Sequence, residues 1–235
     1  MNRPQDLEAL KRLAAGASLD YVRDGDVVGL GTGSTAKYVV LGLGERVKQG
    51  LRMRGVPTSR ETAELARKVG IPLLETEDSW QIDVAIDGTD QVDPHFNLIK
   101  GGGGALLKEK IVAAAARRLI IVADYTKRVP ALGNPTPLPV EVVAFGWGST
   151  ARQIAELGGK AVLRERNGQI FRTEAGHYIL DFHLERIDDP EGLEARLNLI
   201  PGVVETGLFV GRTHVLIVGT PTGVEVLTAP NAVKR

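Results

Sequence analysis

No cysteine occurs among the 235 residues, which excludes together a disulfide scaffold, a thiolate zinc site, an iron–sulfur cluster and a cysteine nucleophile. Charge of one sign is lacking too. The 29 Lys and Arg balance 29 Asp and Glu, for a net charge of 0. A nucleic-acid or anionic-membrane binder needs a concentrated basic surface that this chain does not have. No stretch approaches the ~18 consecutive apolar residues of a membrane span. The N-terminus, with acids at Asp6 and Glu8, contains no apolar run long enough for a signal peptide, so the expected setting is the cytoplasm. Histidine is sparse: His95, His177, His183 and His214 show no metal-ligand spacing and read as surface residues. Trp80 and Trp147, flanked by polar or glycine residues, read as packing or interface anchors and not as platforms for bases. There is no internal repeat and no low-complexity tract.

What is present is an ordinary globular composition, 43% hydrophobic and 25% charged, with room for one large domain or two unequal ones. Leu7, Leu10, Leu13, Ala14 and Ala17 recur at helical steps, and Asp24-Gly25 ends that helix. Asp26–Gly31 reads as a buried strand, followed by a turn and a helix over Ser34–Gln49. The apolar runs Arg52–Val56, Ile82–Ile86 and Leu119–Ala123 then alternate with helical stretches Arg60–Val69 and Ala105–Arg118. Strand–helix alternation predicts right-handed βαβ crossovers and a mainly parallel sheet. Pro130–Pro139 holds four of the twelve prolines and marks a composition shift that suits a domain boundary. Beyond it, Leu138–Ala144, a helix over Ser149–Leu157, a hairpin at Asn167-Gly168, the strand Tyr178–Leu184 and a helix near Glu191–Leu199 describe a small α+β unit. The runs Gly207–Val210, His214–Val218 and Val224–Leu227 fit either unit. The fold class expected is therefore α/β, a Rossmann-like mainly parallel sheet domain with a second, smaller α+β domain.

Much of the glycine gathers in two clusters. Gly29-Leu30-Gly31-Thr32-Gly33-Ser34-Thr35 closes a strand and opens a helix, where bare backbone N–H groups and the positive helix end point at one spot. Thr32, Ser34 and Thr35 add hydroxyl donors suited to a terminal phosphate. The plainer reading is a tight turn with Ser34 as the helix cap. Gly31-x-Gly33-x-x-Ala36 fits a relaxed dinucleotide fingerprint, yet the next strand carries Arg52 and Arg54 and no acid for a ribose hydroxyl, which argues against NAD, while the arginines leave NADP formally open. A P-loop is excluded, because no Gly-Lys-Ser/Thr follows at the required spacing.

Asp87-Gly88-Thr89-Asp90 follows the strand-like run Ile82–Ile86, so Asp87 and Asp90 stand at a carboxyl strand end, the edge that lines the ligand crevice in open α/β sheets. They can hold sugar hydroxyls or move protons; a structural Asx-turn is the competing explanation. With Asp93 they form a D-x-x-D-x-x-D series that is not an EF-hand, and no specific motif supports magnesium. Lys100-Gly101-Gly102-Gly103-Gly104 leads into a good helix former. Four glycines are costly to order, which suggests a ligand that needs bare backbone. On the following helix Leu106, Glu109, Val112, Ala113 and Ala116 share one face, while Lys108 and Arg117 can point to solvent. An inward Glu109 in apolar surroundings has its pKa pushed upward, toward the range of a general base; a plain ion pair with a lysine is the alternative. Lys127, after Leu119–Asp124, stands at another carboxyl strand end where a cation meets an anionic ligand.

Taken together, Gly29–Thr35, Asp87–Asp90 and Lys100–Glu109, in this order and spacing, closely resemble the ribose-5-phosphate isomerase A family. The resemblance extends over essentially the whole chain, including Leu10-Lys11 and the Asn-Gly hairpin. It implies interconversion of D-ribose 5-phosphate and D-ribulose 5-phosphate in the non-oxidative pentose phosphate pathway, without metal, nucleotide or other cofactor. By the same resemblance Glu109 is the proton acceptor. Lys11, Thr32, Gly33, Ser34, Thr35, Asp87, Gly88, Thr89, Asp90, Lys100, Gly101, Gly102, Gly103 and Lys127 bind the substrate. The final strands return to the first domain, which divides the chain into 1–130 plus 206–235 and 131–205, and the protein forms a homodimer or homotetramer. Thr89 and Gln91 stand where Ala and Glu are common, and Gly104 lengthens the glycine run. The chemistry suits the residues: a single carboxylate can take a proton from C2 and return it to C1 through a cis-enediolate. Lys100 and nearby N–H groups suit the enediolate oxygens, and Asp87 or Asp90 suits ring opening. Two other readings use the same residues, a sugar-phosphate-sensing module without turnover and a CoA-transferase-like enzyme with a glutamate nucleophile.

Overall fold

Val27–Leu30, Val84–Asp87, Leu119–Asp124 and Val215–Thr220 are strands in which every residue is buried, as strands covered on both faces must be. In this computed structural model, which describes residues 6–75 and 79–230, they lie parallel in one six-stranded sheet. Its order is Gly223–Thr228, Val215–Thr220, Leu119–Asp124, Val84–Asp87, Val27–Leu30, Arg54–Pro57, and only the Gly223–Thr228 edge is antiparallel. The α/β class with a mainly parallel sheet is thus as the sequence predicts. The reading of the N-terminus as free of a signal segment falls partly on residues 1–5, outside the described residues. Among the described residues no helix is long and apolar enough to cross a membrane.

Alternate strand residues serve opposite faces of the sheet. Val28, Leu30, Val84, Ile86, Ile120, Val122, Val215 and Ile217 share one core cluster with Ala14 and Ala15 of helix α1 (Leu7–Ser18) and Val39, Val40 and Leu43 of helix α2 (Ala36–Lys48). Gly29 faces the other way. A Cβ there would lie 2.5 Å from Val112 Cγ1, so the helix bearing Val112, α4 (Leu106–Ala115), rests directly on the strand. Helix α3 (Arg60–Lys68) follows the Arg54–Pro57 edge strand and is capped by Ser59, whose Oγ accepts from Thr62 N at 3.1 Å.

The chain divides into two compact units. The first runs to Thr89, resumes over Lys108–Lys127, and resumes again from Gly211; the second comprises Asp90–Leu107 and Arg128–Val210. In the second, a four-stranded antiparallel sheet is ordered Val203–Thr206, Leu138–Val142, Tyr178–His183, Lys160–Leu163. Its core takes Ile154 from helix α5 (Trp147–Ala155) and Leu193 and Leu197 from helix α6 (Pro190–Asn198). Glu165–Arg166 and Gln169–Ile170 pair around Asn167 and Gly168, both at positive φ, which is the hairpin the Asn-Gly pair predicts.

Two details differ from the sequence reading. Residues 90–107, 128–130 and 206–210, read there as part of the first domain, group with the second unit: Leu98–Ile99 pairs with Gln91–Val92 on one side and Leu208–Phe209 on the other. Strands of two residues are too short to show a period. His177 and His214 are also not plain surface residues. His177 Nδ1 lies 2.9 Å from the buried Glu141 carboxylate, which Thr173 Oγ1 also approaches at 2.8 Å, and His214 Nδ1 accepts from Leu119 N at 3.1 Å.

Helix α1 lies against Val215–Thr220 so closely that a Cβ on Gly219 would sit 2.0 Å from the Leu10 carbonyl oxygen. Gly219→Ala is therefore expected to cost about 1–3 kcal/mol, read as a lower urea midpoint with unchanged m. A midpoint equal to wild type would mean that α1 is free to shift.

Candidate active site

The strand order reverses between Val27–Leu30, whose chain next enters the Arg54–Pro57 edge, and Val84–Asp87, which is next followed in the sheet by Leu119–Asp124. Loops leaving neighbouring strands at such a switch point diverge and open a ligand crevice beyond the carboxyl ends. The loops here are Gly31–Thr35 and the one that starts at Asp87. They are tied to each other: Gly31 N donates to Ile86 O at 3.0 Å, and Asp87 Oδ1 accepts from Thr32 N at 3.2 Å and from Gly88 N at 2.7 Å. A Cβ on Gly31 would come within 2.2 Å of Asp87 Oδ1, so only glycine lets the carboxylate reach the neighbouring backbone. Asp87 is 4% exposed.

The Thr32 hydroxyl has a different partner from the one its motif suggests. Thr32 Oγ1 donates to Ser59 Oγ (2.9 Å), Ser59 Oγ donates to Thr62 Oγ1 (3.0 Å), and Thr62 Oγ1 donates to Gly31 O (3.0 Å). Thr58 Oγ1 stands 2.7 Å from Thr32 Oγ1 and donates to Leu30 O at 3.1 Å. This relay starts and ends on the same loop and fixes its shape from beneath. Thr58, Ser59 and Thr62 escaped the sequence reading; the available signal was a strand, Arg54–Pro57, ending in two hydroxyl residues at the functional edge.

The remaining loop groups face outward. Gly33, at φ +111°, and Ser34 are exposed, while Thr35 caps α2 and is 8% exposed. The cap is Thr35, one residue later than expected, and its side chain makes no capping bond, so its hydroxyl is not tied to the helix end. Lys11 on α1 donates to Glu8 Oε1 at 2.6 Å, and Tyr38 in the first turn of α2 donates to Glu8 Oε2 at 2.6 Å. The hydrogen bond from Lys11 first, and then that from Tyr38, holds the Glu8 carboxyl below its ordinary range. Lys127, half-buried, ends the 3₁₀ turn Tyr125–Lys127 that leaves Leu119–Asp124 at the same sheet edge.

Glu109 lies in the first turn of α4 and is 5% exposed, on a face shared with Leu106, Val112 and Ala113. The periodicity argument for an inward carboxylate therefore holds. It missed Lys110, which is equally buried, and Lys108 is half-buried where solvent was expected.

In the second unit, Asp90 N donates to Ile99 O at 2.9 Å and Asp90 Oδ2 accepts from Gly102 N at 2.8 Å. Lys100 is 3% exposed, its N–H donates to Gly207 O at 2.8 Å, and its ammonium stands 5.4 Å from the centre of the Phe209 ring. The four glycines answer to different constraints. Gly101 and Gly104 have φ of +102° and +93°, and a Cβ on Gly104 would strike the Phe171 ring at 2.4 Å. A Cβ on Gly102 would meet the Asp90 carboxylate at 3.0 Å. Only Gly103 is exposed, free of positive φ and open on all sides. Neither backbone nor packing demands glycine there. The loop runs directly into α4, placing Glu109 six residues after Gly103 in the chain. Among the described residues no cluster of three or more acidic or histidine side chains could hold a metal ion.

The family model described as ribose 5-phosphate isomerase A (phosphoriboisomerase A) matches residues 54–223. A curated relative from Gloeobacter violaceus, named ribose-5-phosphate isomerase A, is 53% identical over 224 residues, covering 95% of this chain and 97% of its own. A solved D-ribose-5-phosphate isomerase in complex with phospho-erythronic acid aligns with TM-score 0.92 at 40% identity, covering 95% of this chain and 100% of that one. A ribose 5-phosphate isomerase from Plasmodium falciparum aligns with TM-score 0.91 at 37% identity, covering 95% and 99%.

Removing the hydroxyl at the centre of the relay strands its partners. Thr32→Val is expected to cost about 1–3 kcal/mol of unfolding free energy in urea, and Thr32→Ser much less. Equal stability of the valine variant would show that the relay does not shape the loop.

Proposed function

The chain belongs to the ribose 5-phosphate isomerase A family, and from that premise we propose that it interconverts D-ribose 5-phosphate and D-ribulose 5-phosphate through a cis-enediolate, with Glu109 as the group that moves the proton. The observation that carries this is a buried carboxylate in the first turn of a helix whose preceding loop bares its backbone at Gly103. The comparisons lend nothing to a sensing module.

The phosphate of the sugar is held by Gly33, Ser34 and Thr35 at the start of α2, where N–H groups and the helix dipole favour an anion. Thr32 supports this role through its relay and its N–H bond to Asp87. Lys11 and Lys127 supply positive charge at the rim. Asp87 and Asp90 handle the ring-opening proton exchange between the ring oxygen and the anomeric hydroxyl. In the open form Glu109 removes the proton from C2, the electron pair forms the C1–C2 double bond, and negative charge spreads over O1 and O2. Lys100 and the loop N–H groups offset that charge. Glu109 then returns the proton to C1 as the hydroxyl proton passes from O2 to O1, giving the 2-ketose. Holding the phosphate fixes C1 and C2 against one carboxylate, so one group serves as base and then as acid.

We propose further that the protein works in the cytoplasm, in the non-oxidative pentose phosphate pathway, as a homodimer or homotetramer. Phe145 and Leu199 of the second unit, 94% and 82% exposed, offer apolar surface for self-association to cover. Glu109→Gln keeps the shape and removes the base. It is expected to lower kcat by roughly 10²–10⁴-fold with KM for ribose 5-phosphate held within a few-fold. Turnover near wild type in that variant would end the assignment.

A further inference from the structure

We propose that Arg164, distant in sequence from the residues assigned above, is a positioning residue that aims the Gly103 N–H as a donor for the developing enediolate; this rests on the isomerase reading. Arg164 follows the strand Lys160–Leu163, with its N–H donating to Ile179 O at 2.8 Å and its carbonyl accepting from Phe171 N at 2.9 Å. Its guanidinium grips Asp181 at both oxygens, through Nε at 2.9 Å and through Nη2, and the two side chains are 11% and 18% exposed. The remaining nitrogen, Nη1, donates to Gly101 O at 2.8 Å and to Gly102 O at 3.2 Å.

A planar trans peptide points its carbonyl and the following N–H in opposite directions. Drawing the Gly101 and Gly102 carbonyls toward Arg164 therefore turns the N–H groups of Gly102 and Gly103 the other way. Asp90 Oδ2 receives the first at 2.8 Å. The second belongs to the exposed glycine that neither positive φ nor packing requires. The loop is braced again where Gly104 N donates to the same Gly101 carbonyl at 3.0 Å and where Phe171, 5.9 Å from the Arg164 guanidinium, fills the space beside Gly104. Because Asp181 neutralises Arg164, its effect on the loop is directional hydrogen bonding and not added positive charge. A donor fixed in place before charge develops is what transition-state stabilisation requires.

The test is Arg164→Lys, which keeps the charge beside Asp181 but cannot span Asp181 and two carbonyls. Expected are a roughly 10–100-fold loss in kcat, KM for ribose 5-phosphate within about threefold, and amide exchange at the hydrogen-bonded Gly102 and Gly104 about tenfold faster. Exchange in the strands Leu138–Val142 and Tyr178–His183 stays at the wild-type rate. Unchanged exchange at Gly102 and Gly104, or an unchanged kcat, or a raised KM with kcat retained, overturns the proposal. If Arg164→Lys does not fold, Asp181→Asn, which loosens the fork while leaving it present, is expected to show the same pattern at smaller size and is judged by the same outcomes. Should the wild-type protein fail to isomerise ribose 5-phosphate, the isomerase reading fails, and the Gly102 and Gly104 exchange rates still decide whether Arg164 holds the loop.

Discussion

The Asp87 carboxylate is the point on which the first unit's functional edge depends. It ends a buried strand, reaches the backbone of the neighbouring loop at Thr32, and sits so close to Gly31 that a single methyl would displace it. Each of its hydrogen bonds to an N–H is charge-assisted, worth about 1.5–3 kcal/mol when formed and more when a partner is left buried alone. With that brace in place, the strand-order reversal does the rest. The N-terminus of α2 follows the Thr32 loop, with Gly33 and Ser34 exposed and Thr35 buried.

The second unit reaches a comparable result by other means. The shape of its glycine loop is set by three side chains: Asp90 on one N–H, Arg164 on two carbonyls, Phe171 against Gly104. Three of the four glycines answer to backbone conformation or packing, and one answers to neither. Ordering such a segment is entropically costly, and a catalyst that orders it beforehand does not meet that cost during the reaction. Both units use polar side chains to fix the backbone of a loop.

The features that were legible in the sequence are those set by local chemistry. Fully apolar runs such as Leu119–Ala123 announce buried parallel strands. The spacing of Leu106, Glu109, Val112 and Ala113 places the carboxylate inward, and Asn167-Gly168 announces its turn. The features that were not legible depend on partners far along the chain. Thr32 carries the same hydroxyl as Thr35, and its commitment to Ser59 follows only from the pairing of two strands whose partners are 27 residues apart. Arg164 lies 63 residues from the carbonyl it holds, just after a strand with no sign of function. Residues 90–107 join the second unit through pairs of two-residue strands that leave no period to read. Lys110 is buried on a face that periodicity assigns to apolar residues.

The account turns on one carboxyl group exchanging a carbon-bound proton, and isotope wash-in observes that event directly. Ribose 5-phosphate recovered from deuterated water after incubation with the wild-type protein should carry deuterium at C2. The same sugar recovered from an equal amount of the Glu109→Gln variant should carry none, although that variant still binds it. Deuterium entering C2 at a comparable rate with the glutamine variant would contradict the assignment, because the proton would then be moved by a group other than Glu109.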